Sequence, residues 1–276
     1  MSSQSLKFKL LLIIASVSLT ACNNLQTQSH AATQANQIPL AESYSAAIIE
    51  PKLVRSSIAI EKQLNDRQGV TMPPGEESIK VVAGTQPIII TAPHSVRPFR
   101  NGKYRFSDGG ATAAYAIALA ELVGAHVIYA NYENGTDPNY QDDNEFKREL
   151  ASMIERVNPE LVLDIHGSNP MRSYDLDIGT MNGDSLLGQA DLVTNLIDTL
   201  AKEGIFNISY NRFSASKQQT IAKFASKKGA PPLPLEINPT YLMPSEGHIE
   251  AQRYAILLQG LTRYINQSVL TKNNKK

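Results

Sequence analysis

The feature that most constrains the fold is an alternation of short apolar runs with amphipathic helical segments, which starts at Ser78. Runs typical of strands cover residues 78–82, 87–91, 125–130, 161–165 and 233–238, and apolar stripes with helical spacing cover 109–123, 144–157, 185–201 and 246–265. Asp142 and Asp143 precede the second of these helices, and we expect them to cap it. The alternation predicts an α/β fold in which helices flank both faces of a mixed, mostly parallel central sheet.

The N-terminal segment has the pattern of a bacterial lipoprotein leader. Lys7 and Lys9 precede an apolar stretch that is shorter than the roughly 20 residues needed to span a bilayer, which is typical of a secretory signal peptide. The stretch ends in Leu19-Thr20-Ala21-Cys22, a lipobox in which Cys22 would receive the lipid. We therefore expect a signal peptide at residues 1–21 and a membrane anchor at Cys22. Asn23, in place of an Asp, favours the outer membrane, with the protein facing the periplasm.

The composition of the remaining chain limits its organisation and its partners. Residues 22–43 are rich in Gln, Asn, Ser, Thr and Ala, which predicts a disordered tether, and residues 44–276 suffice for one α/β domain. The formal net charge is zero, so no nucleic-acid partner is expected. Because Cys22 is the only cysteine, an intrachain disulfide and a cysteine-rich zinc site are excluded.

Three of the predicted strands lead into polar side chains that are able to bind a metal ion. His94 and His166 each follow an apolar run, and Glu236 lies within the last one. Functional groups of α/β sheets gather at the carboxyl ends of the strands, and two histidines with one carboxylate form a common catalytic zinc set. A further carboxylate beside the metal can act as a general base. Asp108, at the start of a predicted helix, is a fourth candidate.

Each of these residues also has a structural interpretation when it is taken alone. The structural alternatives are that His94 closes a loop, that Asp108 caps a helix and that Glu236 pairs with a surface arginine. The metal-site interpretation is favoured because all of them are predicted at one sheet edge, where Asp164 precedes His166 by two residues and can orient its ring. The alternative from another class is an outer-membrane lipoprotein that binds zinc or another ligand without catalysis.

Together these motifs resemble the signature of the N-formylglutamate amidohydrolase-like family. They are Pro93-His94-Ser95, Ser107-Asp108, Asp164-Ile165-His166-Gly167 and Leu235-Glu236-Ile237-Asn238, and the resemblance spans about residues 87–241. It implies a fold similar to that of the zinc carboxypeptidases, with one Zn²⁺ per chain. By the same resemblance His94, Asp108 and His166 would bind the metal, and Glu236 would be the general base.

The resemblance further implies residues for substrate recognition and a class of reaction. Arg172 is the candidate for stabilising the oxyanion, as arginine suits bidentate contacts, and the expected substrate contacts are Arg97, Arg100, Asp177 and Asn238. The implied activity is hydrolysis of an amide in an N-acyl amino acid, a peptide or a cell-wall fragment, and ester cleavage stays open. Val96 replaces the glycine usual in formylglutamate hydrolases, and the leader indicates export. Both favour a small-molecule or peptide substrate of the periplasm over N-formylglutamate itself.

Overall fold

The computed structural model of the protein describes residues 46–271. The predicted signal peptide, the lipidated Cys22 and the predicted tether lie outside this range. Within it, none of the helices combines the length and the apolar character required to cross a membrane.

The described residues form helices and strands in a largely alternating order. The helices are Pro51–Asn65 (α1), Gly110–Val123 (α2), Glu145–Val157 (α3), Asp191–Lys202 (α4), Ile221–Lys227 (α5), Pro239–Leu242 (α6) and His248–Tyr264 (α7). The strands are Ile79–Val82 (β1), Ile88–Ala92 (β2), Phe99–Arg100 (β3), Lys103–Tyr104 (β4), His126–Ala130 (β5), Leu161–Gly167 (β6), Leu176–Ile178 (β7), Ile208–Tyr210 (β8) and Pro232–Ile237 (β9). Short 3₁₀ turns at Met181–Leu186 and Pro244–Glu246 and a π-turn at Ile265–Val269 complete the order.

Seven strands form the central sheet in the order β1-β5-β2-β6-β9-β7-β8. The four strands from β5 to β9 in this order are parallel to one another. At one side β1 runs antiparallel to β5, and at the other β7 runs antiparallel to β9 and parallel to β8. The predicted mixed, mostly parallel sheet is confirmed, and its parallel centre brings the carboxyl ends of β2, β6 and β9 to one edge.

Helices cover both faces of this sheet, as the burial of alternate strand residues shows. In β2, Ile88 and Ile90 belong to a core that includes Leu196 of α4, whereas Ile89 packs in a second core with Phe146 of α3. Successive side chains of a strand point to opposite faces, so each face of β2 is buried against its own set of helices. The run of three consecutive isoleucines at the start of this strand is the sequence pattern that such two-sided burial requires.

Two local predictions are corrected by the structure. Asn144, and neither Asp142 nor Asp143, caps α3, because its side chain accepts a hydrogen bond from the Lys147 backbone N–H. The helix predicted to begin at residue 185 instead begins at Asp191, after Leu187 and Gly188 adopt positive φ angles that interrupt helical geometry. The short strands β3, β4, β7 and β8 and the helix α5 were not predicted.

Candidate metal centre

The polar side chains at the ends of the central strands lie on the face of the sheet that α3 covers. In β6, Val162 packs in the core that contains Phe146, and residues at even spacing from it share its side of the strand. Asp164 and His166 therefore point towards this face. Glu236 of β9 is the direct partner of His166 in the parallel register, so its side chain projects from the same face.

Three side chains converge at this edge in a geometry that suits a metal ion. His166 Nδ1 lies 3.0 Å from Asp108 Oδ2, and His94 Nδ1 lies 3.5 Å from the same oxygen. Each residue offers one ligand atom, and these atoms all lie within 4.8 Å of one another. Two imidazole nitrogens and one carboxylate oxygen are a donor set that suits zinc. The sheet thus brings together His94, Asp108 and His166, which are separated in the sequence.

Both histidines are oriented by a carboxylate on the ring nitrogen that faces away from Asp108. His94 Nε2 lies 2.9 Å from Asp137 Oδ1, and His166 Nε2 lies 3.0 Å from Asp164 Oδ2. Asp137 and Asp164 are themselves buried. A carboxylate on the remote nitrogen fixes the tautomer and the ring orientation of a histidine that binds metal. Because of these paired contacts, the two histidines are oriented as histidines that bind a metal ion are.

The carboxylates of the centre favour positive charge at the two histidine rings and in the space between them. Burial alone would lower the pKa of His94, but the hydrogen bonds to Asp108 and Asp137 outweigh it and raise the pKa to about 9. Burial would raise the pKa of Asp108, but the hydrogen bonds to the two histidines hold it well below its ordinary range. Since a metal ion requires neutral imidazoles, its binding here displaces protons.

The carboxylate of Glu236 lies beside this cluster and differs from the other carboxylates of the centre in its contacts. Among residues 46–271, no group forms a hydrogen bond or an ion pair with its side chain. Burial raises its pKa to about 7, and the nearby Asp108 opposes its ionisation while His166 favours it. A carboxyl group that titrates near neutral pH is suited to accept and release a proton.

Asp137 is the residue of the centre that the sequence analysis missed. It lies in the loop after β5, and its two oxygens have different partners. Oδ1 contacts His94, and Oδ2 accepts two hydrogen bonds from Arg100, at 2.9 and 2.6 Å. Its neighbour Asn139 is also involved, because its side-chain nitrogen lies 3.2 Å from His166 Nε2. The sequence signal was the segment Asp137-Pro138-Asn139-Tyr140, which resembles a loop of the family named above but to which the sequence alone assigns no role.

We expect the Asp137→Asn variant to bind the metal about 10- to 100-fold more weakly, because the amide no longer draws a proton onto His94 Nε2 as a carboxylate does. The measurement is a metal titration in competition with a chelator. The Asp143→Asn variant is the matched control, since Asp143 is exposed and pairs only with Arg148. Equal metal affinity of the two variants would show that Asp137 does not support the centre.

The structure places the other predicted substrate residues in varied surroundings. Arg97 forms a bidentate ion pair with Glu133, with hydrogen bonds of 2.6 and 2.9 Å, and Arg100 forms an ion pair with Asp137. Both guanidinium groups thus already have carboxylate partners. Arg172 is exposed on the loop after β6, and the described residues show no partner for its side chain.

The side chains of Asp177 and Asn238 form hydrogen bonds with backbone groups of neighbouring segments. Asp177 is fully buried and accepts hydrogen bonds from the Phe213 N–H at 2.7 Å, the Arg212 N–H at 3.2 Å and Ser209 Oγ at 2.6 Å. Asn238 caps α6 and donates its amide to the carbonyl of Tyr174. These contacts occupy the polar atoms of both side chains and argue against the predicted direct contact with substrate.

Comparisons with known proteins identify the fold. No family model matches the chain, and no curated protein matches its sequence. A gene product from Agrobacterium tumefaciens has a similar structure, with a TM-score of 0.50 and 12% identity over 71% of this chain and 95% of that chain. N-formylglutamate amidohydrolase from Ralstonia eutropha JMP134 follows with a TM-score of 0.46 and 14% identity over 72% of this chain and 99% of that one.

A bacteriophage poly-gamma-glutamate hydrolase is also among the structural neighbours, at a TM-score of 0.46 and 14% identity over 72% of this chain and 94% of that chain. Proteins described as carboxypeptidases occur among them too. The structure from Agrobacterium tumefaciens, at a TM-score of 0.50, supports the α/β fold described above. At these identities the likeness concerns the fold, and the chemistry depends on the side chains described above.

Proposed function

We propose that this protein is a metal-dependent hydrolase that cleaves an amide bond, with one zinc ion bound by His94, Asp108 and His166. The observation that carries the proposal is the convergence of the two Nδ1 atoms on Asp108 Oδ2, while each Nε2 is held by its own buried carboxylate. Three protein ligands leave a coordination position open, which distinguishes a catalytic zinc site from a structural one.

When bound, a zinc ion supplies Lewis acidity for a carbonyl oxygen and makes water easier to deprotonate. The protein supplies the proton transfers through Glu236, which is partly buried beside the cluster and has a pKa that desolvation raises to about 7. Its carboxylate can accept a proton from water during attack on the carbonyl and can then donate that proton to the leaving amine. Asp137 and Asp164 keep the two histidine rings oriented throughout.

The alternative is a lipoprotein that binds metal or another ligand without catalysis. The uncommitted Glu236 speaks against it, because a partly buried carboxylate without a partner is costly and is retained most simply for proton transfer. The titratable group next to an open metal set therefore favours the hydrolase.

The lipid anchor and the location at the outer membrane are part of the proposal and rest on the lipobox at Leu19-Thr20-Ala21-Cys22. Peptides and cell-wall fragments of the periplasm would then be within reach of the enzyme. Fractionation of bacterial cells tests this location: recovery in the outer-membrane fraction supports it, and recovery of the protein in the soluble fraction contradicts it.

Removal of the metal tests the proposed function directly. We expect the purified protein to contain about one zinc ion per chain and to hydrolyse members of a panel of N-acyl amino acids and muropeptides. A chelator should abolish this hydrolysis and added Zn²⁺ should restore it, as measured by release of free amines. A protein that binds zinc but cleaves no amide in the panel would favour the non-catalytic alternative.

A further inference from the structure

Asp108 differs from the two histidines of the metal set because no strand of the central sheet leads into it. Its segment, residues 105–109, has no regular secondary structure and includes Phe106, whose side chain is 99% exposed. The Asp108 N–H donates to the His94 carbonyl at 2.9 Å, which joins the segments of these two ligands. A functional side chain has to be held within about 0.5 Å of its productive position. The support of this segment by other parts of the chain is therefore important for metal binding.

The α1 turn, residues 65–69 at the C-terminal end of α1, contacts the chain just after Asp108. Asn65 Oδ1 accepts a hydrogen bond of 2.8 Å from the N–H of Gly110, the first residue of α2. The first N–H groups of a helix lack partners within the helix, and the residue before α2 is a glycine that has no side chain to cap it. Asn65 therefore caps α2 from another helix. Glycine at position 110 permits this approach, because a Cβ atom there would lie 2.6 Å from Leu64 Cβ.

The α1 turn also contacts the chain just after His94. The side-chain amide of Gln68 donates a hydrogen bond of 2.7 Å to the carbonyl of Ser95. The N–H of Gly69 donates one of 2.7 Å to Glu133 Oε1, in the loop after β5. One short turn is thus bonded to the backbone next to two of the three metal ligands, and to a third segment at the same edge of the sheet.

The apolar side chains of α1 attach the helix to the domain independently of the α1 turn. Leu64 is buried in the main core. Just before the helix, the N–H of Ile48 donates to Gln259 Oε1 of α7 at 2.7 Å. Asn65 is exposed and contributes little to this burial. Its hydrogen bond, like that of Gln68, therefore concerns the position of a ligand-bearing segment more than the attachment of the helix.

We propose that Asn65 and Gln68 are positioning residues of the metal centre. Each holds, through a backbone group, the segment that carries one of the ligands, and together they keep Asp108 and His94 at the spacing that one metal ion requires. Neither side chain belongs to the metal set itself. Loss of both hydrogen bonds should leave the domain folded and the metal more weakly bound. The inference rests on the proposed function, because it concerns the support of the same metal set.

Titration of the full protein with Zn²⁺ in competition with a chelator tests the proposal without any turnover. The double variant Asn65→Ala/Gln68→Leu removes both hydrogen bonds, and we expect it to bind Zn²⁺ about ten-fold more weakly, at the lower end of the effect of groups that orient metal ligands. The variant Asn65→Asp should bind Zn²⁺ at least as tightly as the original protein, because its carboxylate accepts the Gly110 N–H in the same way. The visible absorption of Co²⁺ bound in place of zinc reports the ligand geometry and should change in the double variant but not in Asn65→Asp.

The matched control is Gln259→Leu. Gln259 forms hydrogen bonds with Ile48 and Glu203, neither of which is next to a metal ligand, so its loss should lower the melting temperature and leave the Zn²⁺ affinity unchanged. Melting curves establish that each variant is folded, and the single variants Asn65→Ala and Gln68→Leu carry the test if the double variant is not. The proposal is overturned if the folded variants bind Zn²⁺ as tightly as the original protein, or if Gln259→Leu weakens binding to the same extent.

A parallel hydrolysis assay of the unsubstituted protein separates this proposal from the proposed function. Amide cleavage together with an unchanged Zn²⁺ affinity of the variants overturns the positioning role alone. Weaker Zn²⁺ binding by the variants, without any amide cleavage by the original protein, supports the positioning role and contradicts the hydrolase. An original protein that binds no Zn²⁺ contradicts both.

Discussion

The Glu236→Gln variant is expected to keep its zinc and to lose about 10²- to 10⁴-fold in kcat, the usual contribution of a general acid–base group. Glutamine has the same shape and fills the same partly buried site, but its amide cannot accept a proton from water or deliver one to a leaving amine. Because Glu236 contributes no atom to the set of His94, Asp108 and His166, metal binding should be unaffected. The measurement pairs kcat on a cleaved amide with the metal content of the same preparation.

Two controls make this result specific. The Glu155→Gln variant removes an exposed carboxylate whose nearest cation, Lys228, is 3.9 Å away, and it should retain full activity. The melting temperature of Glu236→Gln at pH 8 should equal or exceed that of the original protein. Burial raises the pKa of Glu236 to about 7, so above that pH the folded state holds a charge that burial disfavours. Unchanged turnover in a metal-loaded Glu236→Gln variant would contradict the proposed role of Glu236 in proton transfer.

The second large effect is expected from His166→Ala, which should lose both the bound metal and the hydrolytic activity. The substitution removes one of three ligands and leaves Asp108 and Asp164 facing an empty space where the ring had contacted both. Two remaining protein ligands do not form a zinc site of the usual kind. Elemental analysis after dialysis measures the metal content, and the hydrolysis assay measures the activity.

His248→Ala is the matched control for this variant, because His248 lies exposed at the start of α7. It should retain about one zinc ion per chain and full activity. Circular dichroism must show that His166→Ala is folded, since the substitution leaves Asp108 and Asp164 without their ring partner at a largely buried site. A folded His166→Ala protein that still holds one equivalent of zinc contradicts the assigned ligand set.

The parts of the fold and of the site that could be predicted are those with a local pattern. Strands β2 and β6 are apolar runs long enough to be recognised, and the rule that parallel strands share their carboxyl ends sufficed to bring His94 and His166 together. Glu236 was noticed because a carboxylate inside an apolar run is unusual. In each case the signal lay within a few residues and followed from a general constraint on burial.

The parts that were missed depend on contacts between segments far apart in the chain. Asp137 gains its role only because the loop after β5 folds back onto His94, a residue 43 positions earlier. Asp177 lies in β7, a strand of three residues that is too short to show alternation, and so its task of holding Arg212 could not be foreseen.

The attachment of residues 211–220, which join β8 to α5, also has an evolutionary consequence. This loop contributes no atom to the metal set, and it is tied to the rest of the protein near its two ends, by contacts of Asn211 to Ser214 at its start and of Gln218 and Gln219 at its end. Surface loops tolerate substitution and insertion better than the elements that they connect. Substitutions between these two ends can therefore change the contacts of the loop while the strand ends stay unchanged. The surface beside the metal set can thus vary without displacing the residues that form it.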